Sequence, residues 1–415
     1  MLENIKLDIN YVRSQFPAFS DPLSKDWSFF ENAGGSYVPH NVIKKLTNFM
    51  TSTKVQPYAE YPMSKLAGEE MDRATKLFTK MINANDDEIL IGGSTSINLY
   101  VLSNSLKSFI NPGDEIIVTN QDHEANISPW RRLKEVGAVI KEWKINPLNA
   151  ELEIEDFKKL LSNKTKIVAV THCSNIVGST NDLKQITELA HNNDAIVIGD
   201  GVSYAPHGLP DVKSVGVDFY TFSLYKTYGP HLALLYGKRE ILQKLPNQNH
   251  EFLEGQFPYT INPGGPNHEE LVSLIGIYEY FMNIYNHHYN DNNISTFKKI
   301  SAINGLIRKH EEEITNPLLN FLSKNKKINL IEKNKIISKN RAPTISFTVK
   351  NKKSSEISKL LVENKIATRN DNFYAWRCLK ALGINTEDGV IRLSLVHYNS
   401  HKDVNNIINV LENII

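Results

Sequence analysis

Between about residues 85 and 240 the chain alternates short β-rich apolar runs with longer amphipathic stretches, and this alternation restricts the fold more than any other feature. "DEILIGG" (87–93), "DEIIVTN" (114–120), "TKIVAVTHCSN" (165–175) and "NDAIVIGDG" (193–201) read as strands. "SINLYVLSNSLKSF", "NISPWRRLKEVG" and "DLKQITELAHNN" between them carry apolar residues at helical spacing. Strands alternating with helices make right-handed βαβ units, so the pattern predicts an α/β fold with a mostly parallel sheet covered by helices. From about residue 300 the texture changes to "FKKISAINGLIRKHEEEITNPLLNFL", "TISFTVKN", a helix near 353–365, "GVIRLSLVHYN" and "HKDVNNIINVLENII". That order predicts a smaller α+β domain. The expected division is a large domain over 22–265 and a small one over 266–415, with 1–21 packing on the latter.

In such a sheet the chemistry collects at the carboxyl ends of the strands. Five segments end there in small or polar groups: Gly92, Gly93, Ser94, Thr95 and Ser96 after the first strand, Asp122 and His123 after the second, Asn175 after the third. Asp200 and Ser203 follow the fourth, and Ser223 and Lys226 follow "VDFYTF". A glycine–hydroxyl turn opening a helix is an anion cradle suited to phosphate, though a plain helix cap reads the same way. There is no G-x-x-x-x-G-K-[ST] and no G-x-G-x-x-G, which argues against nucleotides. His172 and Cys173 are strand neighbours pointing to opposite faces, and no metal-ligand spacing occurs.

The combination discriminates better than its parts. A phosphate cradle, a strand-end Asp, a ring able to stack, and a lysine 26 residues beyond the Asp describe a pyridoxal 5'-phosphate site. The aldehyde needs a lysine amine, and the pyridine nitrogen needs a carboxylate to stay protonated. Lys226 and Asp200 take those roles, and His123 lies over the ring. Asn175 and Ser203 reach the ring oxygen, and Gly93, Ser94 and Ser223 hold the phosphate.

At these residues the chain resembles the class V aminotransferase superfamily, in its cysteine desulfurase and selenocysteine lyase branch. The segments carrying the likeness are "DGVSYAPH" (200–207), "VDFYTFSLYKTYGP" (217–230), "DHEANISPW" (122–130) and "SNIVGST" (174–180). Two more are "FFENAGGSYVPHNVI" (29–43) and "GVIRLSLVHYNSHKDV" (389–404). The resemblance implies a fold-type I pyridoxal phosphate-dependent transferase with a seven-stranded, mostly parallel sheet. It also implies a homodimer with the active site near its interface, Ala33 and Gly34 beside the substrate carboxylate, and Arg392 pairing with that carboxylate. Arg369 either binds substrate or pairs with a protein carboxylate. Side-chain specificity is expected in loops such as 52–66 and 251–268.

Three departures from the family pattern bear on function. Tyr225 stands where a histidine usually precedes the lysine, which alters one cofactor contact. "GGPN" (264–267) replaces "GTPN" and loses a hydroxyl at Gly265. "RNDNFYA" (369–375) puts Tyr374 at the place of the persulfide cysteine, which marks a subgroup without that cysteine and leaves Tyr374 facing substrate. Cys378, four residues on, is expected one helical turn from Tyr374 on the same face, as a substitute nucleophile or, more commonly, a structural thiol. Cys173 reads as core packing. His207 reads as a turn cap, and Tyr225 and Tyr228 as core aromatics.

Taken together these features predict an enzyme acting on an amino acid, a C–S or related β-elimination lyase. A transaminase, an epimerase using Tyr374, and a non-catalytic cofactor-binding accessory protein are the alternatives. Net charge is +1, so nothing favours nucleic acid or a membrane surface, and the lysine-rich stretches 321–343 and 349–356 read as solvated faces. Two cysteines and an N-terminus without an apolar h-region predict a cytoplasmic protein.

Overall fold

The computed structural model describes residues 5–291, 293–331 and 341–415. Part of the lysine-rich stretch 321–343 therefore lies outside the described residues. The large sheet has seven strands: β1 (Ile89–Gly92), β2 (Glu115–Thr119), β3 (Val139–Trp143), β4 (Thr165–Thr171), β5 (Ile196–Asp200), β6 (Phe219–Ser223) and β7 (Ala233–Gly237). Their spatial order is β1-β7-β6-β5-β4-β2-β3, with β7 antiparallel to both neighbours and the remaining pairs parallel. Strands β3 and β7 have no counterpart in the sequence reading. The "VIKEW" of β3 mixes charge with apolar residues because it is an edge strand, and β7 follows the lysine turn without a helix to announce it.

Alternate side chains along each strand feed two different cores. Val168 and Val170 of β4 join one core with α3 (Pro62–Met81), α5 (Leu183–His191) and α7 (Ile275–His288). Ile167 and Ala169 join the other, with α4 (Thr95–Leu106) and Trp130. That two-residue period on a sheet covered on both faces explains the near-continuous apolar runs seen in sequence. The helices α2 (His40–Ser52) and α6 (His268–Ser273) pack outside α3 and α7.

The second, antiparallel sheet runs β10 (Arg369–Asp371), β11 (Val390–Ser394), β9 (Thr344–Val349), β8 (Ile328–Leu330). Ile345, Phe347, Ile391 and Leu393 pack there against α9 (Ser354–Glu363) and α11 (His401–Ile414). The long helix α8 (Thr296–Lys324) serves both regions. Its Ile300, Ile303 and Ile307 enter the large core, and its Ile314, Leu318 and Leu322 enter the small one. The N-terminal helix α1 (Ile9–Ser14) is tied to α11 by Arg13, whose Nη1 meets Asp403 Oδ2 at 2.9 Å.

Sequence expectation fails around Cys378. Helix α10 begins at Trp376 (Trp376–Ala381), so Tyr374 lies before it, in a turn where Phe373 and Tyr374 both have positive φ (49° and 59°). Cys378 and Tyr374 therefore do not share a helix face. Cys378 packs with Ile145, Ile176 and Leu379, and Tyr374 is 65% exposed. Cys173 also lies beyond the end of β4, pairing as a bridge with Thr180.

The turn 174–180 couples the two sheets. Gly178 has φ +81°, and a Cβ there would collide with the Thr344 carbonyl oxygen. Gly178→Ala should therefore lower unfolding free energy by about 2–3 kcal/mol, combining left-handed strain with overpacking. Urea unfolding, read as a lower midpoint at unchanged slope, checks this.

Candidate active site

The strand ends converge on one cavity of about 190 Å³. Ser94, His123, Asn175, Asp200, Ser203, Ser223, Tyr225 and Lys226, all read from the sequence, line it. Gly93 is exposed and stands off the wall. Thr95 and Ser96 of the glycine–hydroxyl turn line it as well, and Thr171, Val202 and His231, which were not singled out, complete the wall with Ala125 and Cys173. His231 was legible, because it ends "YKTYGPH" in the lysine turn.

One end of the cavity is the start of α4. Ser94 caps the helix in extended geometry (φ −168°), its Oγ accepting from the Ile97 amide at 3.2 Å. Thr95 Oγ1 and Ser223 Oγ lie 2.8 Å apart, joining β6 to this turn. Hydroxyls at the positive end of a 12-residue helix suit an anion.

His123 caps a short turn, with Nδ1 accepting from the Ala125 amide at 3.1 Å. Burial, with the charges of Lys226 and Arg392, pushes its pKa down to about 3, so the imidazole is a neutral ring carrying its proton on Nε2. Behind it Asp122 accepts from Asn126 Nδ2 at 2.7 Å and from the Thr119 hydroxyl. Burial raises Asp122 to about 7, and the nearby Asp200 adds to that.

Asp200 ends β5 and is 3% exposed. Its Oδ1 accepts from the Val202 amide at 2.9 Å. Burial raises its pKa to about 6, opposed by the Val202 hydrogen bond and the charge of Lys226. Asn175 donates from Nδ2 to the Phe373 carbonyl at 2.9 Å, and its buried Oδ1 has no protein partner.

Lys226 ends a one-turn helix after β6 and keeps limited solvent contact through the cavity. Burial, then repulsion from Arg392, brings its pKa down to about 8, and Asp200 and Glu31 pull the other way. Its turn rests on Tyr228, a core aromatic with φ +66° whose hydroxyl donates to the Pro206 carbonyl at 2.7 Å. Tyr225 stacks on His231 at 4.7 Å in the cavity wall, its ring centre 5.5 Å from Lys226 Nζ. A small void behind Lys226 is lined by Asn32, Ala33, Ser203, His207 and Ser394. His207 does more than cap a turn, because its Nδ1 lies 3.1 Å from both oxygens of the buried Glu311.

The residues read as substrate contacts cluster just outside the cavity wall. Arg392, 2% exposed, stacks 3.6 Å from the Phe373 ring centre and donates to the Asn175 carbonyl and to Glu31. Arg369 donates to the same Glu31, so it pairs with a protein carboxylate here. Gly34 leaves room for Glu31, since a Cβ would strike Glu31 Oε1. Tyr374 covers His123 at 5.2 Å between ring centres, and its carbonyl accepts from the Glu124 amide at 2.7 Å. Gly265 has φ +65°, a backbone geometry that favours glycine over the hydroxyl-bearing residue of the pattern.

Neither cysteine is a ready nucleophile. Cys173 touches the cavity floor and Cys378 lies in the core, and burial pushes both thiols up to about 12. Among the described residues no group of three His, Cys, Asp or Glu side chains is placed to hold a metal ion, and no helix is long and apolar enough to cross a membrane.

Comparison with known proteins gives the chain a family and its fold relatives. The profile of the family described as Aminotransferase class-V matches residues 28–407. An aminotransferase-like protein of Gibberella zeae is 36% identical, covering 99% of both chains. A cysteine desulfurase-like protein of Aspergillus flavus is 29% identical over 97% of this chain and 89% of its own. The fold matches a cysteine desulfurase from Thermococcus onnurineus with a TM-score of 0.85, at 22% identity, covering 99% of this chain and 98% of that one.

In cofactor-free protein, competitive acetylation read by mass spectrometry should give Lys226 a titration midpoint near pH 8, below the usual lysine range. Replacing Arg392 by Gln should raise that midpoint, because it removes a repelling charge.

Proposed function

Because the chain belongs to the class V aminotransferase family of pyridoxal 5'-phosphate-dependent enzymes, we propose that it is a lyase that eliminates a group from Cβ of a free amino acid. The observation that carries this reading is the convergence of Lys226, Asp200 and His123 on one cavity that offers no reactive thiol. The donor set fits the cofactor. An anion cradle, a neutral ring, a carboxyl group and a lysine amine surround a space of about 190 Å³, and Asn175 Oδ1 is buried there without a protein partner.

Ser94, Thr95 and Ser223 would hold the phosphate, His123 would stack on the ring, and the Ser203 hydroxyl and the second Nδ2 hydrogen of Asn175 would donate to the ring oxygen. Asp200 would keep the ring nitrogen protonated. Bound in this way, pyridoxal 5'-phosphate would supply an aldehyde carbon for the substrate amine and an electron-withdrawing ring. Lys226 then acts as the base at Cα. A pKa near 8 keeps part of its amine neutral at physiological pH, which suits a proton carrier. Arg392 fixes the substrate carboxylate. With the Cα proton gone, a leaving group at Cβ departs.

Cys173 meets the cavity only as a buried thiol pushed up to about 12, which argues against persulfide chemistry. Tyr374 cannot accept sulfur, and the Cys378 thiol lies among apolar side chains. A homodimer is part of the same proposal. Ile97 and Tyr100 of α4, Met63 and Leu66 of α3, and Tyr259 are exposed apolar groups, and the α4 pair adjoins the cradle.

Absorbance titration of purified protein with cysteine, cysteine sulfinate and alanine tests the reaction. A visible cofactor band that shifts and recovers with release of a keto acid supports the lyase, and conversion to a pyridoxamine spectrum indicates a transaminase. Lys226→Ala should abolish covalent cofactor attachment, and Asp200→Asn should lower kcat by at least about a hundredfold. Cys378→Ala should leave turnover unchanged. Sedimentation at micromolar concentration should give twice the chain mass.

A further inference from the structure

Arg392 is already holding a carboxylate, and that carboxylate belongs to the chain. Glu31 Oε1 accepts from Arg392 Nη2 at 3.0 Å and from Arg369 Nε at 3.2 Å. The remaining donors of Arg392 are arranged around this contact. Nη1 is committed to the Asn175 carbonyl at 3.3 Å, Phe373 covers one face of the guanidinium at 3.6 Å, and Nε is buried without a partner. An incoming carboxylate that pairs side-on with Nε and Nη2 must take Nη2 from Glu31.

Glu31 is held in a way that allows this exchange. Its backbone is fixed, pairing with Ser394 and accepting the Gly34 amide at 2.9 Å. Asn32 beside it is locked by Ser394, Asn399 and Tyr398. The side chain is held only at Oε1, and Oε2 is buried with no partner at all. A carboxylate with one desolvated, unpaired oxygen forfeits much of what its ion pair gains. Arg369 is half exposed and also pairs with Asp371 at 3.4 Å, so it offers Glu31 a second anchor nearer solvent.

We infer that Glu31 is an internal competitor for the substrate carboxylate: it occupies the Arg392 seat in the free enzyme, swings out on Arg369 when an amino acid binds, and thereby sets substrate affinity. This rests on the reading of Arg392 as the carboxylate seat. The latch thus acts on binding at the Arg392 seat.

The test uses holoenzyme and propionate, which carries the carboxylate but no amine to react with the cofactor. Calorimetric titration at low ionic strength should show Glu31→Gln binding propionate about tenfold tighter than the wild type, the scale of one charge-assisted hydrogen bond. Arg392→Gln should abolish that gain in the double variant. KM for the amino-acid substrate should fall in parallel. If Arg392→Gln alone leaves propionate binding unchanged, the carboxylate-seat reading fails, and the latch with it. If Arg392→Gln weakens binding but Glu31→Gln binds no tighter than wild type, the latch is overturned and the seat survives. Glu31→Ala provides a second variant. Failure of both Glu31 variants to fold would overturn the latch as well, because the pair would then be structural rather than displaceable.

Discussion

The parallel ladder of β4, β5 and β6 is the constraint on which the site depends. Asp200 is paired on one side with Thr171 and on the other with Thr221, so its carboxyl and the Lys226 turn leave the sheet at the same rim. Slipping β5 by one residue would turn Asp200 to the opposite face and expose an apolar set in its place. That set is divided between two cores, Val197 in one and Ile198 in the other, and burial on both faces fixes the register. The chemistry is thus positioned by apolar packing several residues away from it.

Charge balance is the second organising element. Lys226, Arg392 and Arg369 face Asp200, Glu31 and Asp371 across a small, poorly solvated region. Burial acts on the enclosed members and on the neighbouring ring: the lysine moves down, Asp200 moves up, and His123 stays neutral. Each of those states is the one its proposed task needs. A lysine that releases its proton readily, a carboxyl that shares one, and an uncharged stacking ring all arise from the same burial.

Beneath the lysine turn lies a polar scaffold that spans both parts of the chain. Tyr228 reaches the Pro206 carbonyl and His397, and His397 meets Tyr280. His207 is held by Glu311 of α8, and Phe16 of the N-terminal segment packs on Tyr228, Tyr280 and Tyr398. Burial keeps His397 neutral, with a pKa near 3, so its two nitrogens can serve as one donor and one acceptor between the tyrosines. A fully partnered network of this kind specifies one geometry, and here it specifies the platform of Lys226.

The sequence by itself determined the strand–helix alternation, the residues on the rim and the cofactor they suit, because these follow from local periodicity and from residue type at strand ends. It missed β3 and β7, whose patterns depend on an edge and on an antiparallel neighbour. It also joined Tyr374 to Cys378 in one helix, since spacing alone does not reveal the positive φ angles that delay the helix to Trp376. Only the tertiary structure decided that Cys378 is core, that His207 has Glu311 as its partner, and that Glu31 lies in the hand of Arg392. Those contacts join residues 104 and 361 positions apart. Long-range pairing of charge depends on how the two sheets pack, and no local pattern records it.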